Sequence, residues 1–347
     1  MSPSPGLSRR GLLRGAATLG GAAALAPALA ACGGAGGTDA DGATRIQLGW
    51  LPNVESMALL VAAANGHYRR EGVTPKLAPG GPNVVIEPQI ITGKVLVGVE
   101  ASDKLGDAVA KGAPLVAIGA TFQRSSSCIL SLADKPVRTP KDLEGRRFGV
   151  AQSDARVYAA FFRLAGVDAS KVTMVPTGTD PSALASGEVD AISATLANQP
   201  VALGLRGIRT TSIALADHGY NRWSGLLTVS AHNLRNDATR ARIAKVLRGT
   251  IRGLQDAVDD PGAAARVVVD RYGRRTGLDP RSQAAGAKVW AGLARTPDTE
   301  RHGLMRLTPE GIATQERFLR GIGVKADVKA MFDPSLIDEV YGGATRL

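Results

Sequence analysis

Residues 45–77 read RIQLGWLPNVESMALLVAAANGHYRREGVTPKL. The opening run, 45–50, has the length and apolar content of a short strand, and Gly49, Pro52 and Asn53 then turn the chain. Residues 57–65, an unbroken run of Met, Ala, Leu and Val ending at Asn65, suit a buried helix. Gly66 and Gly72 close that helix, and 74–77 reads as a second strand. A strand, a helix and a strand within so few residues form a βαβ unit, which joins parallel strands and places the chain in the α/β class.

The same grammar continues outward. Further strand candidates lie at 95–99 and 115–120, with helix candidates at 84–91 and 105–111. Pro136 and Pro140 mark a break, after which a second series begins. Its strands are expected at 147–151, 172–176, 191–195 and 211–215, and its helices at 155–164, at 181–186 and near Pro200. The two series rhyme: Thr92-Gly93-Lys94-Val95 and Ser186-Gly187-Glu188-Val189 each end a helix on glycine and enter a strand. Beyond 226–230 the pattern becomes helical, at 237–258, 262–272, 280–293 and 309–321. Asp260-Pro261, Asp279-Pro280 and Thr308-Pro309 have the cap-then-proline form of helix starts. The expected organisation is one lobe of residues 45–135 plus 224–347, a second lobe of 136–223, and a helical C-terminal tail packed back on the first lobe.

The N-terminus reads as an address. Arg9 and Arg10 precede a Gly- and Ala-rich apolar stretch that ends at Cys32, so 1–31 is expected to be a signal peptide. Ser8-Arg9-Arg10-Gly11-Leu12-Leu13 resembles a twin-arginine signal, and Leu29-Ala30-Ala31-Cys32 resembles a bacterial lipobox. On that reading Cys32 is lipidated, 32–44 is a flexible tether, and the protein is extracytoplasmic and anchored to the membrane. The alternative is an uncleaved span, for which the stretch is weakly apolar and carries Pro27.

Composition removes several classes. With 44% hydrophobic and 21% charged residues the chain is an ordinary globular protein. Cys32 and Cys128 are its two cysteines, which excludes a disulfide framework and any CxxC centre. The net charge of +11 includes Arg9, Arg10 and Arg14 ahead of Cys32, and no basic-aromatic stripe accompanies it, so nucleic acid is not an expected partner. His67, His218, His232 and His302 fall in no metal-ligand spacing, and HExxH, GxSxG and phosphate-loop motifs are missing. No cofactor, metal or catalysis is therefore expected.

In open α/β sheets ligands sit outside the carboxyl ends of the strands. The turns there carry the candidate binding residues. Trp50, Asn53, Glu55 and Ser56 follow the first strand, and Gly80, Gly81 and Pro82 follow the second. Glu100 and Ser102 follow the third, and Ser125, Ser153, Asp154 and Asn198 come later in the chain. Trp50 is the aromatic best placed to stack on a planar ligand; its alternative role is to brace the turn. Glu100 either receives two hydrogen bonds from a ligand or caps the helix that follows. Gly80 and Gly81 allow close backbone approach or simply form a tight turn. Tyr220 and Trp223 are weaker candidates for an opposite wall.

Several ordered blocks carry a specific resemblance. Gly49-Trp50-Leu51-Pro52-Asn53, 66–73 (GHYRREGV), Gly112-Ala113-Pro114, 140–150 (PKDLEGRRFGV) and Gly187-Glu188-Val189-Asp190-Ala191 appear in sequence. Together they resemble the thiamine-pyrimidine and sulfonate type of ABC-importer substrate-binding protein. The resemblance implies a two-lobed type II periplasmic-binding-protein-like fold with hinge strands near 128–132 and 226–230. It implies a monomer that takes a small molecule to an ABC permease without altering it. The implied ligand is a planar nitrogen heterocycle such as a thiamine-precursor pyrimidine, or alternatively a sulfonate, nitrate or taurine-like anion. Pyrimidine-binding relatives carry histidine where this chain has Ser56, and the related pyrimidine synthase carries a cysteine-rich segment that is missing here.

Overall fold

The computed structural model describes Gly37, Asp39 and residues 42–347 apart from Arg274 and Arg275. The expected signal peptide, twin-arginine motif and Cys32 lie outside the described residues. The folded body starts before the expected boundary at 45. Gly37 N–H donates to the Gly93 carbonyl, and Asp39 pairs with Arg45 and with Lys76 (2.8 Å).

Ten strands form two sheets of five. In chain order they are β1 Thr44–Gln47, β2 Pro75–Ala78, β3 Val97–Ala101, β4 Leu115–Phe122 and β5 Ser127–Leu132, then β6 Arg147–Ala151, β7 Thr173–Thr177, β8 Ala191–Thr195, β9 Thr210–Ala214 and β10 Ser224–Ser230. The first sheet runs β2-β1-β3-β10-β4 and the second β7-β6-β8-β5-β9. Within each, three consecutive strands are parallel, as the βαβ reading requires. The fourth place is filled by an antiparallel strand, β10 in the first sheet and β5 in the second.

That antiparallel strand is an exchange. β5 follows β4 directly yet pairs in the second sheet, and β10 follows β9 yet returns to the first. The strands expected as hinges are thus full members of the sheets, and the chain crosses between sheets just before them, at 123–126 and 215–223. The crossings are tied together. Ser125 N–H donates to Asn221 Oδ1 at 3.0 Å, and the Asn221 carbonyl accepts from Gln315 Nε2 at 2.9 Å.

The helical tail packs largely on the first sheet's side. The helix Asp237–Asp259 lies against Met57–Ala64 so closely that a Cβ on Gly253 would stand 2.2 Å from the Ala58 carbonyl oxygen. Only glycine permits that approach. The caps read from sequence form as expected: Asp260, Asp279 and Thr308 side chains accept from the backbone N–H groups of Ala263, Ser282 and Gly311. Two helices differ from expectation. The helix expected at 84–91 begins at Glu87, beyond Pro82 and next to Pro88, and the one expected over 262–272 gives way to a π-turn, Val269–Gly273. The core follows this plan. One apolar cluster joins the first sheet to the tail, and a second runs through both sheets, with Leu105 and Leu115 on one side and Phe148, Tyr158 and Phe161 on the other. A small third cluster lies wholly in the second sheet's half.

Candidate functional site

The turns after the parallel strands of the first sheet converge. A Cβ on Gly80 would stand 2.3 Å from the Leu48 carbonyl oxygen and 2.6 Å from Trp50 N, and Gly80 N–H donates to the Trp50 carbonyl at 3.0 Å. Gly80 is therefore required for the turns after β1 and β2 to meet. Trp50 and Gly81 are half-buried, and Pro82 is exposed. Next in the chain, Asn53 caps the single turn Val54–Ser56 by accepting from Glu55 N–H at 2.8 Å. A turn from the second sheet arrives at the same place. The position of a Cβ on Gly286 is 2.9 Å from the Ala197 carbonyl and 3.5 Å from Val54, so Asn198 comes near the 53–56 turn through the helix Pro280–Ala294. Asn198 itself is exposed at the start of the helix Gln199–Leu205.

Beside the first of these turns, where a Cβ on Gly49 would stand 2.8 Å from the Val99 carbonyl oxygen, lies a shelf of buried polar atoms. Ser102 N–H donates to the Trp223 carbonyl at 3.0 Å, and Ser224 pairs with Ala101 across the β3–β10 ladder. Residues 100–103 and 222–224 are thereby held side by side. Both Glu100 oxygens, Ser102 Oγ, Asp103 Oδ1, Arg222 Nε and Ser224 Oγ are buried with no hydrogen-bond partner among the described residues. Glu100 is 6% exposed and Ser102 fully buried. Glu100 therefore does not cap the following helix, which removes its alternative role. Buried polar groups are nearly always satisfied, so an unpaired cluster of this size calls for a partner.

The charges on the shelf are unevenly matched. Arg222 Nη1 lies 3.5 Å from Asp103 Oδ2, both side chains being about four-fifths buried. Burial opposes the Arg222 charge most strongly, and Asp103, Tyr220 and Glu55 together more than restore it. Glu55, half-buried, is pushed up by burial, and Arg222 partly relieves it. Glu100 has no such relief: burial first, then the like charge of Glu87, pushes its carboxyl up to about 8 against a weaker pull from Lys104.

The remaining candidates fall elsewhere. Tyr220 and Trp223 are buried in the core, Tyr220 edge-on to Phe318 at 4.9 Å and Trp223 edge-on to Phe332 at 5.7 Å. They back the shelf from within and present no open wall. Ser125 is fully buried in the crossover and contacts Asn221. Asp154 is half-buried after β6; burial first, then the charges of Asp103 and Asp154, raises the Tyr220 hydroxyl. Ser153 shares the turn Gln152–Asp154. Asp103, Arg222 and Ser224 were missed by the sequence reading. For Arg222 and Ser224 the available signal was the polar run 217–224, interrupted by Gly219 and ending at a strand.

Among the described residues no group of three or more His, Cys, Asp and Glu could hold a metal ion, and no helix is long and apolar enough to cross a membrane. Cys128 is fully buried, and burial pushes its thiol up.

Comparison with known proteins bears on the fold and the family. The chain is 24% identical over 226 residues to the riboflavin-binding protein RibY of Chloroflexus aurantiacus, a match covering 63% of each. It therefore spans less than two thirds of that relative's length. Among solved structures, the periplasmic aliphatic sulphonate binding protein SsuA from Escherichia coli superposes with a TM-score of 0.61 at 18% identity, covering 83% of this chain and 96% of that one. The desulfurization enzyme DSZB superposes with a TM-score of 0.60 at 16% identity, covering 86% and 99%. These likenesses place the two-sheet architecture in the periplasmic-binding-protein fold. The family model described as NMT1/THI5 like matches residues 53–264, most of the chain, and on that span the protein belongs to the NMT1/THI5-like family.

Proposed function

We propose that the protein is the extracytoplasmic solute-binding component of an ABC importer, capturing a small planar nitrogen heterocycle and passing it unaltered to a membrane permease. The observation that carries this reading is the shelf of six unpaired buried polar atoms at the junction of the two sheets. Such atoms are costly to leave unmade, and a bound solute supplies what is missing. Family membership, the fold of SsuA and the likeness to a riboflavin-binding protein support the same reading.

In this scheme Trp50 stacks on the ligand, and Asn53, Glu55, Ser56, Gly80, Gly81 and Pro82 form the near wall. Glu100 and Ser102 lie at its floor, with Ser153, Asp154 and Asn198 across the junction. The two lobes, 45–135 plus 224–347 and 136–223, move about the crossings tied by Asn221. Lipidated Cys32 keeps a monomer at the membrane beside its permease. An enzyme needs an accessible reacting group. DSZB shares the fold, but the one described cysteine here is buried with a suppressed thiolate, which argues against a cysteine nucleophile.

A second reading, a sulfonate or similar small anion, has Arg222 in its favour. Thermal denaturation of the purified chain with candidate solutes, alongside native mass spectrometry for a co-purifying small molecule, decides whether it binds at all. A ligand at a hundredfold excess over its Kd stabilises by about 2.7 kcal/mol. Trp50→Ala is expected to remove most of that shift while leaving the apo transition in place. Equal shifts in variant and parent would take Trp50 out of the site.

A further inference from the structure

We infer that the ligand presents an N–H-bearing or cationic edge, that of an amidine, a guanidine or an amino-heterocycle, to Glu100, and that this carboxyl sets which solutes enter. The inference rests on the solute-binding reading above and narrows it to one chemical class.

Three observations carry it. First, Glu100 is 6% exposed and neither carboxyl oxygen has a hydrogen-bond partner among the described residues, while Ser102 beside it is fully buried and unpaired at Oγ. Once an arriving cationic or N–H-bearing edge draws off its proton, the carboxylate only accepts, so the fitting partner is a donor, and two oxygens side by side suit a paired donor edge. Second, the charges around it point the same way. The Arg222 charge is already met by Asp103, with Glu55 in the same field. The charged groups acting on Glu100 are Glu87 and Asp103, of like sign, and the exposed Lys104. An anion placed here would face Glu100, Glu87 and Asp103 with its one buried counter-charge engaged elsewhere, whereas a cationic edge would relieve all three.

Third, the fold does not need an acid at this point. β8 holds the same third place in its sheet that β3 holds in the other, and the position matching Glu100 is Ala194, opposite Cys128 as Glu100 is opposite Leu226. Ala194 is equally buried, at 6% exposure, and its backbone N–H is met by the Tyr158 hydroxyl at 3.3 Å. The carboxyl is thus an addition to a frame that closes without it. The rise of the Glu100 carboxyl to about 8 is what a buried, uncompensated acid shows in the absence of a cation.

The test is calorimetric titration of the full chain at pH 7.5 with matched probes, benzamidine and 2-aminopyrimidine against benzoate and benzenesulfonate, in parent and Glu100→Gln. The expected result is that an N–H-bearing probe binds at least ~10-fold tighter than its anionic counterpart, and that Glu100→Gln removes that preference without weakening the anions. Tighter binding of an anionic probe, or a donor preference that survives in Glu100→Gln, overturns the inference and leaves the solute-binding reading standing. If none of the four binds, native mass spectrometry of the chain from its source decides. A co-purified molecule lacking N–H donors overturns the inference alone, one carrying them on an exposed edge supports it, and no bound molecule overturns both. Unchanged or raised thermal stability of Glu100→Gln shows that the comparison is made between folded proteins.

Discussion

Strands β3 and β8 are built to one plan. Each is third in its sheet, each is entered from a glycine turn, and each is flanked by a parallel strand on one side and the antiparallel exchange strand on the other. Their sequences, Val97-Gly98-Val99-Glu100-Ala101 and Ala191-Ile192-Ser193-Ala194-Thr195, differ most at the fourth residue. In β8 that residue closes a small apolar cluster with Cys128, Leu130 and Ile192. The chain then turns through Thr195, whose N–H is met by Gln199 at 2.9 Å. In β3 the residue is a buried acid, followed by a run of polar atoms without partners. The same frame therefore serves as finished scaffold in one half and as an incomplete binding surface in the other.

The comparison can be broken most forcefully by copying the acid across. Ala194→Glu would press a carboxyl into an apolar cluster beside the Tyr158 hydroxyl and Cys128, with no cation near and no ligand to come. A loss of about 3–5 kcal/mol is expected, because a buried unpaired charge and excess volume act together. Urea denaturation measures it, and a loss below ~1 kcal/mol would mean that the second half is as tolerant of a buried acid as the first.

The fold was more legible than the site, for reasons visible in particular residues. Strand and helix alternation over 45–77 and again over 147–195 follows from local periodicity, and the caps Asp260, Asp279 and Thr308 are local hydrogen bonds. The exchange of β5 and β10 between sheets is a long-range pairing that no local pattern records; only the family resemblance anticipated strands there. Among site residues Glu100 stands out in the sequence, since an acid ending an apolar run is unusual, and the structure buries it. Tyr220 and Trp223 were drawn toward the site by their polar neighbours, whereas their rings pack on Phe318 and Phe332 from segments about a hundred residues later. Asp103 and Arg222 become partners only when β10 returns to lie beside β3.

Removing the charge from β3 should have the opposite sign from adding one to β8. Glu100 in the folded chain takes its proton up to about 8, against an ordinary value of 4.5. As pH rises above 4.5 the unfolded state ionises first, so the folded state loses stability progressively until about pH 8, beyond which the difference is constant. The loss at pH 8 is about 4 kcal/mol if this group acts alone. Glu100→Gln abolishes that slope. Its apo form should match the parent near pH 4 and exceed it increasingly toward pH 8, as followed by denaturant midpoints across that range. Parallel pH profiles for the two proteins would mean that Glu100 is not buried and unpaired in solution.

The two ties between the crossings sharpen the comparison on a finer scale, because one is a buried neutral contact and the other an exposed ion pair. Asn221 receives Ser125 N–H and offers its carbonyl to Gln315, with Ser125 and Gln315 both fully buried. Asn221→Ala removes the Oδ1 partner of the Ser125 N–H while the backbone carbonyl keeps its contact to Gln315, and stranding that one buried N–H should cost about 1–2 kcal/mol. Arg124 and Asp217 link the same two segments, but their side chains are 43% and 54% exposed. An exposed pair is screened by water and salt, and holding two long side chains together offsets much of its attraction. Arg124→Ala should therefore change stability by at most ~0.5 kcal/mol and lose even that at 1 M salt. If Arg124→Ala cost as much as Asn221→Ala, the crossings would be held by charge and not by buried amides. Ligand closure would then depend on ionic strength, which titration at 0.05 and 0.5 M salt would reveal as a change in Kd.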